Sequence, residues 1–532
     1  MKILNKIGTY IGLCILLGFV SCNLDPELAN SYTDAVPWSS EKNLELYLNK
    51  FYPLIGQSYY SDAINDDAFS DVLKMNSSSA DANLIATGST TISANSNILG
   101  NWNWAYEGIR DCNEFLDGLS KYGNNLPKDV TKRAEAEVLF FRAYVSFSLA
   151  RNHGGSFIIY DKLPEGKEKA MSTPEECWNF IANDLDSAAK YLPIHVDISK
   201  QGKLTKGAAL AFKARCMLYA KRWKEASDAA KAVMDLNIYD LHPNYADLFT
   251  FKRTDGRSNK ESILEFGFTS PDFGYSFDYF YCPPGDKGYA KVSPTEELVS
   301  SYQMADGSNF SWDNPEQAAN PYNGREQRFY ASILYNGANW KGRTVETYVG
   351  GLDGYGLGGG TTRTGYYMRK LFDESRKTQD VGFVPGELTY YAIHYSEVLL
   401  IYGEAMAEQE NLDEALGALN KIRVRAGFTI PVTASSKSEF MSLLRHERMI
   451  ELAFEGHRYW DLRRWKLSTI VLNNMHCTGI KITKNIDATF TYERVDIDGG
   501  KTRIFPEKYY RFPIPLTEIQ RNPLCEQFNE WK

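Results

Sequence analysis

Apolar positions recur at helical spacing in several separated stretches of this chain, with polar residues between them. Leu44, Tyr47, Leu48 and Phe51 mark an amphipathic helix between Asn43 and Tyr52. Leu139 with Phe140, then Ala143, Phe147 and Ala150, put one apolar face along Arg133 to Arg151, and Gly154-Gly155 provides the exit. Thr173-Pro174-Glu175-Glu176 reads as a helix start, with proline at the first helical position. Leu443, Ile450 and Phe454 predict a further helix facing a core. Ser436 and Glu439 form a capping box ahead of it, and Gly456 can turn left-handed to stop it.

Two of these patterns echo one another. Ala214 to Val233 resembles Glu404 to Ile422, with Cys216 opposite Ala405, Trp223 opposite Leu412 and Ala226 opposite Ala415. Small residues at a crossing, a short turn and a second amphipathic helix predict tetratricopeptide-like hairpins, which bury their faces only by stacking. The fold class expected is therefore mainly α, stacked helical hairpins with a loop-rich irregular region.

That irregular region is 249–387, where Gly, Pro, Asn and aromatics are frequent and long periodic runs are absent. Ser58 to Asn97 is also polar, and a loop of that length is usually functional or disordered. Asp62, Asp66, Asp67 and Asp71 do not have the spacing of an EF-hand, so the expectation is solvated loop rather than a calcium site. Gly350 to Gly360 lacks the G-K-[ST] ending of a phosphate cradle and reads as a flexible loop.

The densest chemistry lies in Arg445 to Lys466. Glu447, Glu451 and Glu455 follow at i, i+4 and would repel one another unless cations answer them. Arg458, Arg463 and Arg464 are the expected answer, with Trp460 and Trp465 packed beside them. Carboxylates among so many arginines have depressed pKa values, which suits a structural corner and not a general acid. His446 and His457 lie nearby but not in a His-Glu-x-x-His pattern, so no zinc helix is expected.

The run ERMIELAFEGHRYWDLRRW, from Glu447 to Trp465, closely resembles the hallmark of the SusD/RagB family. Its structural positions here are Glu447, Arg448, Glu451, Glu455, Gly456, Arg458, Asp461, Arg464 and Trp465. Further blocks resembling the family follow in order from about Ala105 to the end. They include Arg133 to Arg151, Pro294 to Gly307, Arg325 to Trp340, Thr364 to Lys370, His394 to Ala405 and Arg511 to Pro523. His394 and Ser396 stand where arginine and alanine are commoner, and Phe528 breaks the closing Gln-Asn pair. The resemblance implies a SusD-like helical fold and a lipoprotein that captures nutrients, mostly glycans, for a SusC-like TonB-dependent outer-membrane transporter. Within that family a tryptophan four residues before a tyrosine is structural, which assigns Trp102 to the core and leaves Trp104 for ligand stacking.

The N-terminus agrees with export. Lys2 and Lys6 precede an apolar run, Ile11 to Val20, ending at Ser21-Cys22. That is a signal peptide over 1–21 with Cys22 as the acylated first residue; Phe19 departs mildly from the usual leucine. Asp25 and Glu27 resemble an acidic sorting tag. Acyl chains contribute about 0.8 kcal/mol per buried CH₂, enough to hold a soluble body on the outer membrane, exposed at the surface. The rest divides into a SusD-like helical part over 22–248 and a part over 249–532 that carries the insert, expected to form one compact unit.

Composition narrows the function classes. A net charge of −8 gives no footprint for nucleic acid. Cys112, Cys177, Cys216, Cys282, Cys477 and Cys525 are scattered with no C-x-x-C, so no metal site or cofactor is expected. Aromatic residues make up 14% of the chain, with 34 tyrosines and 10 tryptophans, which suits ligands that stack on flat faces. A glycosidase needs two opposed carboxylates in different environments, and no such pair stands out. A capture surface needs only flat rings and planar hydrogen-bonding groups. The loop regions offer Trp104, Asp66 and Asp67, then Tyr279, Tyr281 and Trp312. The expectation is a non-catalytic glycan-binding lipoprotein; the alternatives are peptide or glycoprotein capture on the same fold, and a lipid-anchored hydrolase.

Overall fold

The computed structural model describes residues 35–532 apart from 94–100, 165, 167, 258 and 357–359. The signal segment and Cys22 lie outside the described residues.

The molecule is mainly helical. α1 (Glu41–Leu48) is followed by α2 (Ser61–Asp67), α3 (Asn101–Tyr122), α4 (Lys128–Asn152) and α5 (Pro174–Tyr191). The two predicted hairpins are α6 (Lys206–Tyr219) with α7 (Trp223–Met234), and α8 (Tyr395–Glu408) with α9 (Leu412–Arg425). They stack as expected: α3 packs on α4, α4 on α5, α5 on α6, α6 on α7, and α7 on α8, which meets α9 and α10 (Lys437–Glu451). Cys216, Ala405, Ala226 and Ala415 are fully buried at the crossings, where small side chains let the backbones approach. α4 is buried nearly all round, because it has neighbours on several sides and not on a single face. Thr173 and Glu176 make the reciprocal capping box that starts α5.

The irregular region folds onto this stack through short antiparallel ladders that bring distant sequence together. Strand 73–75 pairs with 292–294 in the register Leu73↔Pro294, Lys74↔Ser293, Met75↔Val292. Strand 262–266 pairs with 390–394, with Phe266 opposite Tyr390. One hydrophobic core runs from Trp38 to Cys525 through both parts. The six cysteines of the described residues are all buried and unbridged.

The polar stretch Ser58 to Asn97 is not a solvated loop over its described residues. It holds α2, strand Leu73–Met75 and a helix Asp81–Ala86, with Ile64 and Leu73 fully buried. Asp67, Ser70, Asp71, Lys74, Asn76 and Asn83 are buried, which composition alone could not reveal, while Asp62, Asn65 and Ser77 to Ser79 stay exposed.

Three expectations at α10 also change. The helix ends at Glu451, before Gly456, and Phe454 already takes a positive φ of 69°. Ile450 and Phe454 are fully buried as expected, but Leu443 is half-buried, and Phe440, Leu444, Glu447 and Glu451 join the buried face, so two of the carboxylates face the core. The Ser436 hydroxyl accepts from the Glu439 amide at 3.3 Å, but the Glu439 carboxylate accepts from Ser435, one residue early.

Candidate functional site

The site begins with the hallmark corner, which forms one wall of it. Arg328, from the insert, donates to Glu447, Glu451 and Glu326. Arg423 pairs with Glu447 at 3.0 Å, and Arg425 bridges Glu451 and Glu261. The cations answering the glutamates therefore come from α9 and the insert, not from Arg458, Arg463 and Arg464. Arg448 and Arg464 instead converge on Asp461, and Arg464 with the Trp465 indole also holds Glu404. Arg463 lies 4.1 Å over the Phe512 ring and donates to the Tyr510 carbonyl. Burial opposes the charge on Glu451, but Arg425 and Arg328 outweigh it and hold its pKa down to about 2. Glu455 is also held low against burial, by Lys370 on Oε1 at 2.6 Å and His394 on Oε2 at 2.9 Å.

His394 and Ser396 prove to be a coupled pair. The Ser396 hydroxyl sits 2.8 Å from His394 Nδ1, with Glu261 3.2 Å away on the same side. Burial works against protonation, but Glu455 and Glu261 raise the imidazole pKa to about 10. The histidine is thus a cation at the position where arginine is commoner.

α2 joins this corner to a cavity. Asp67 is buried, and its two oxygens accept from the backbone amides of Gly456 (3.0 Å) and Arg458 (3.2 Å). Burial raises its pKa to about 8 against those two hydrogen bonds. Asp71 grips the Arg458 guanidinium with both oxygens at 2.9 and 2.8 Å. Gly456 has φ of 77°, and a Cβ there would lie 2.8 Å from the Ala63 Cα. Only glycine permits both the turn and that approach.

Asp62, Asn65 and Asp66 line a cavity of about 730 Å³, with Trp104, Arg151 and His457 on its other walls. That volume is in the usual range for a small-ligand pocket. Trp102 and Trp104 are two residues apart on α3, so they point to opposite faces. Trp102 is buried against Tyr106 and His153, each ring centroid 5.0 Å away, while Trp104 is half-buried at the cavity. Asp66 accepts from the Trp460 indole at 2.7 Å, and the Arg151 guanidinium lies 3.8 Å over the same ring. Burial raises the Asp66 pKa, opposed by Arg151 and Trp460. His457 is driven down to about 4 chiefly by burial and is neutral near pH 7.

Of the six expected ligand residues, the structure brings Trp104 and Asp66 together in this cavity. Asp67 is a structural clamp, as described. Tyr281 is 6% exposed, with Ser61 beside its hydroxyl, so it supports α2 from behind. Tyr279 forms an edge-to-face pair with the exposed Tyr289, centroids 4.7 Å apart and hydroxyls 3.1 Å apart. Trp312 donates to Glu296 at 2.7 Å and packs edge-on against Phe310 in a separate aromatic cluster. Sequence reasoning missed Asn65, Arg151 and His457. His457 was noticed for its type only, and nothing local marks the other two.

Both oxygens of Glu455, the hallmark glutamate that lines the cavity, are already engaged, which leaves it no free edge for proton transfer. Glu261, His394 and Glu451 lie close enough to share a metal ion, but Arg425 bridges the two glutamates and already supplies the positive charge.

Comparison with known proteins supplies the lineage. Residues 256–531 match the model of the SusD family, just over half of the chain. The chain belongs to the SusD family. Residues 24–218 match a second model, described as starch-binding associating with outer membrane. SusD-like protein P2 of Formosa agariphila is 25% identical over 440 residues, covering 79% of this chain and 78% of that protein. Among solved structures, a SusD-like protein from Bacteroides fragilis superposes with a TM-score of 0.80 at 27% identity, covering 94% of this chain and 98% of the other. A SusD-like carbohydrate binding protein from the same organism gives 0.80 at 27%, over 92% and 99%. A laminarin binding SusD-like protein shares the fold at 21% identity, with a TM-score of 0.67, over 92% and 99%.

Proposed function

We propose that this SusD-family chain binds carbohydrate without altering it, and that the cavity walled by α2 and Trp104 is where it does so. The observation that carries the reading is the meeting of a half-buried indole with Asn65, Asp66 and Arg151 in one pocket of ligand size. An indole face stacks on the C–H face of a sugar ring, and planar amide, carboxylate and guanidinium groups pair with its substituents. Tyr289, exposed and paired edge-to-face with the half-buried Tyr279, offers a second flat face for a longer chain. The names of the relatives, one a carbohydrate binding protein and one a laminarin binding protein, point the same way.

The wider reading is a lipoprotein acylated at Cys22, held at the cell surface on the outer membrane, passing oligosaccharides to a SusC-like TonB-dependent transporter. The described residues contain no helix long and apolar enough to cross a membrane, so a lipid anchor would provide the attachment. Isothermal titration with oligosaccharides tests the site. Trp104→Ala should weaken binding about tenfold or more with little loss of stability, as for a stacking anchor; unchanged affinity would remove the cavity from the reading. Co-purification of a large β-barrel protein from detergent-solubilised membranes tests the partner.

A further inference from the structure

Charged groups around the cavity are mostly spoken for. Arg215 holds Glu397 with Nε at 2.7 Å and also donates to the Ala392 carbonyl. Arg458 is bidentate on Asp71. Arg151 differs in having no carboxylate within hydrogen-bond reach; its Nε, like single nitrogens of several other arginines, is buried with no hydrogen-bond partner among the described residues. The nearest carboxylate oxygen, Asp66 Oδ2, is 3.9 Å away, beyond hydrogen-bond reach. That oxygen already accepts from the Trp460 indole. Stacking on Trp460 holds the guanidinium plane in place, and its side chain is only 20% exposed.

A guanidinium has five donors and no acceptor, so a site built round an unpaired one asks for a group that only accepts. A neutral sugar hydroxyl both donates and accepts and fits best between a cation and a free carboxylate. A carboxylate or sulfate oxygen pair fits an arginine edge alone, by two parallel charge-assisted hydrogen bonds. We infer that Arg151 determines the specificity of the cavity and selects a sugar carrying an oxyanion, either a uronate or a sulfate ester. This rests on the carbohydrate reading above. The rings beside it serve the sugar body, and Arg151 serves the charged substituent.

The experiment is titration of the purified full chain with three sets of oligosaccharides: neutral, uronate-bearing and sulfated. One acidic set is expected to bind at least about tenfold tighter than the neutral set, the scale of a charge-assisted hydrogen bond. That preference should shrink with added salt. Arg151→Gln should abolish it, and Arg151→Lys should restore part of it, since lysine keeps the charge but not the fork. Which acidic set binds tells uronate from sulfate. Thermal melting of each variant checks folding, and the lysine variant carries the test if glutamine fails to fold. Equal binding of neutral and acidic sets, or an acid preference that survives Arg151→Gln, overturns the inference and leaves carbohydrate binding intact. No binding to any set, with peptides bound instead, overturns both.

Discussion

The hallmark corner and the cavity share a wall, yet they treat charge in opposite ways. In the corner, Glu447, Glu451, Glu455 and Asp461 are buried and each meets two or more cationic partners. In the cavity, Arg151 is held by a ring and lacks a close partner, and Asn65 is exposed. The first arrangement is what folding requires, since an unpaired buried charge costs several kcal/mol. The second leaves hydrogen-bonding capacity for something that arrives later. The corner's glutamates are all answered by cations while Arg151 has no carboxylate within hydrogen-bond reach, a contrast that residue type does not show, since both regions are rich in Arg, Asp and Trp.

The sharpest way to break that contrast is to unpair the corner. Glu451→Ala takes one carboxylate from each of Arg328 and Arg425, which keep Glu326, Glu447 and Glu261, and should cost about 3 kcal/mol, measured by chemical denaturation. A loss below about 1 kcal/mol would mean the corner is not the scaffold. Gly456→Ala comes next. It imposes a left-handed strain and a contact with Ala63, for an expected loss of about 1–3 kcal/mol; because Ala63 also lines the cavity, ligand affinity should fall with it.

The mildest test is pH. His153 and His457 have folded pKa values of about 4 against 6.5 for the free side chain, burial being the main cause. At these two groups the unfolded chain takes up protons first, so their contribution is full above pH 6.5 and declines as pH falls towards 4, while Asp67, raised from 3.8 to about 8, contributes in the opposite sense as pH falls from 8. Glu451, lowered from 4.5 to about 2, then extends the loss as pH falls through that second window. NMR titration reads the two imidazoles directly, and ring signals that titrate near pH 6.5 would contradict the burial of both.

Much of the scaffold was legible in the chain. Helical periodicity, the echo between Cys216 and Ala405, and the Thr173 cap are local signals, and all three appear where the pattern put them. What was not legible is pairing across distance. Nothing near Glu451 says that its cations are Arg328 and Arg425, because that choice depends on how the insert folds back. The stretch from Ser58 reads as solvent-loving because aspartate usually is; Asp67 and Asp71 are buried only because the backbone after Gly456 and the Arg458 guanidinium lie ready to receive them. Trp104 could be found from its offset to Trp102. Arg151 could not, since an arginine closing a helix gives no sign that its partner is missing.

One feature of α2 bears on how such a protein changes over generations. Within a single short helix, Asp67 reaches into the scaffold while Asp62, Asn65 and Asp66 look into the pocket. Drift at the pocket-facing positions can retune what is caught, and the helix stays moored by its neighbours. A lineage exposed to new sugars could therefore explore diets without first risking its fold.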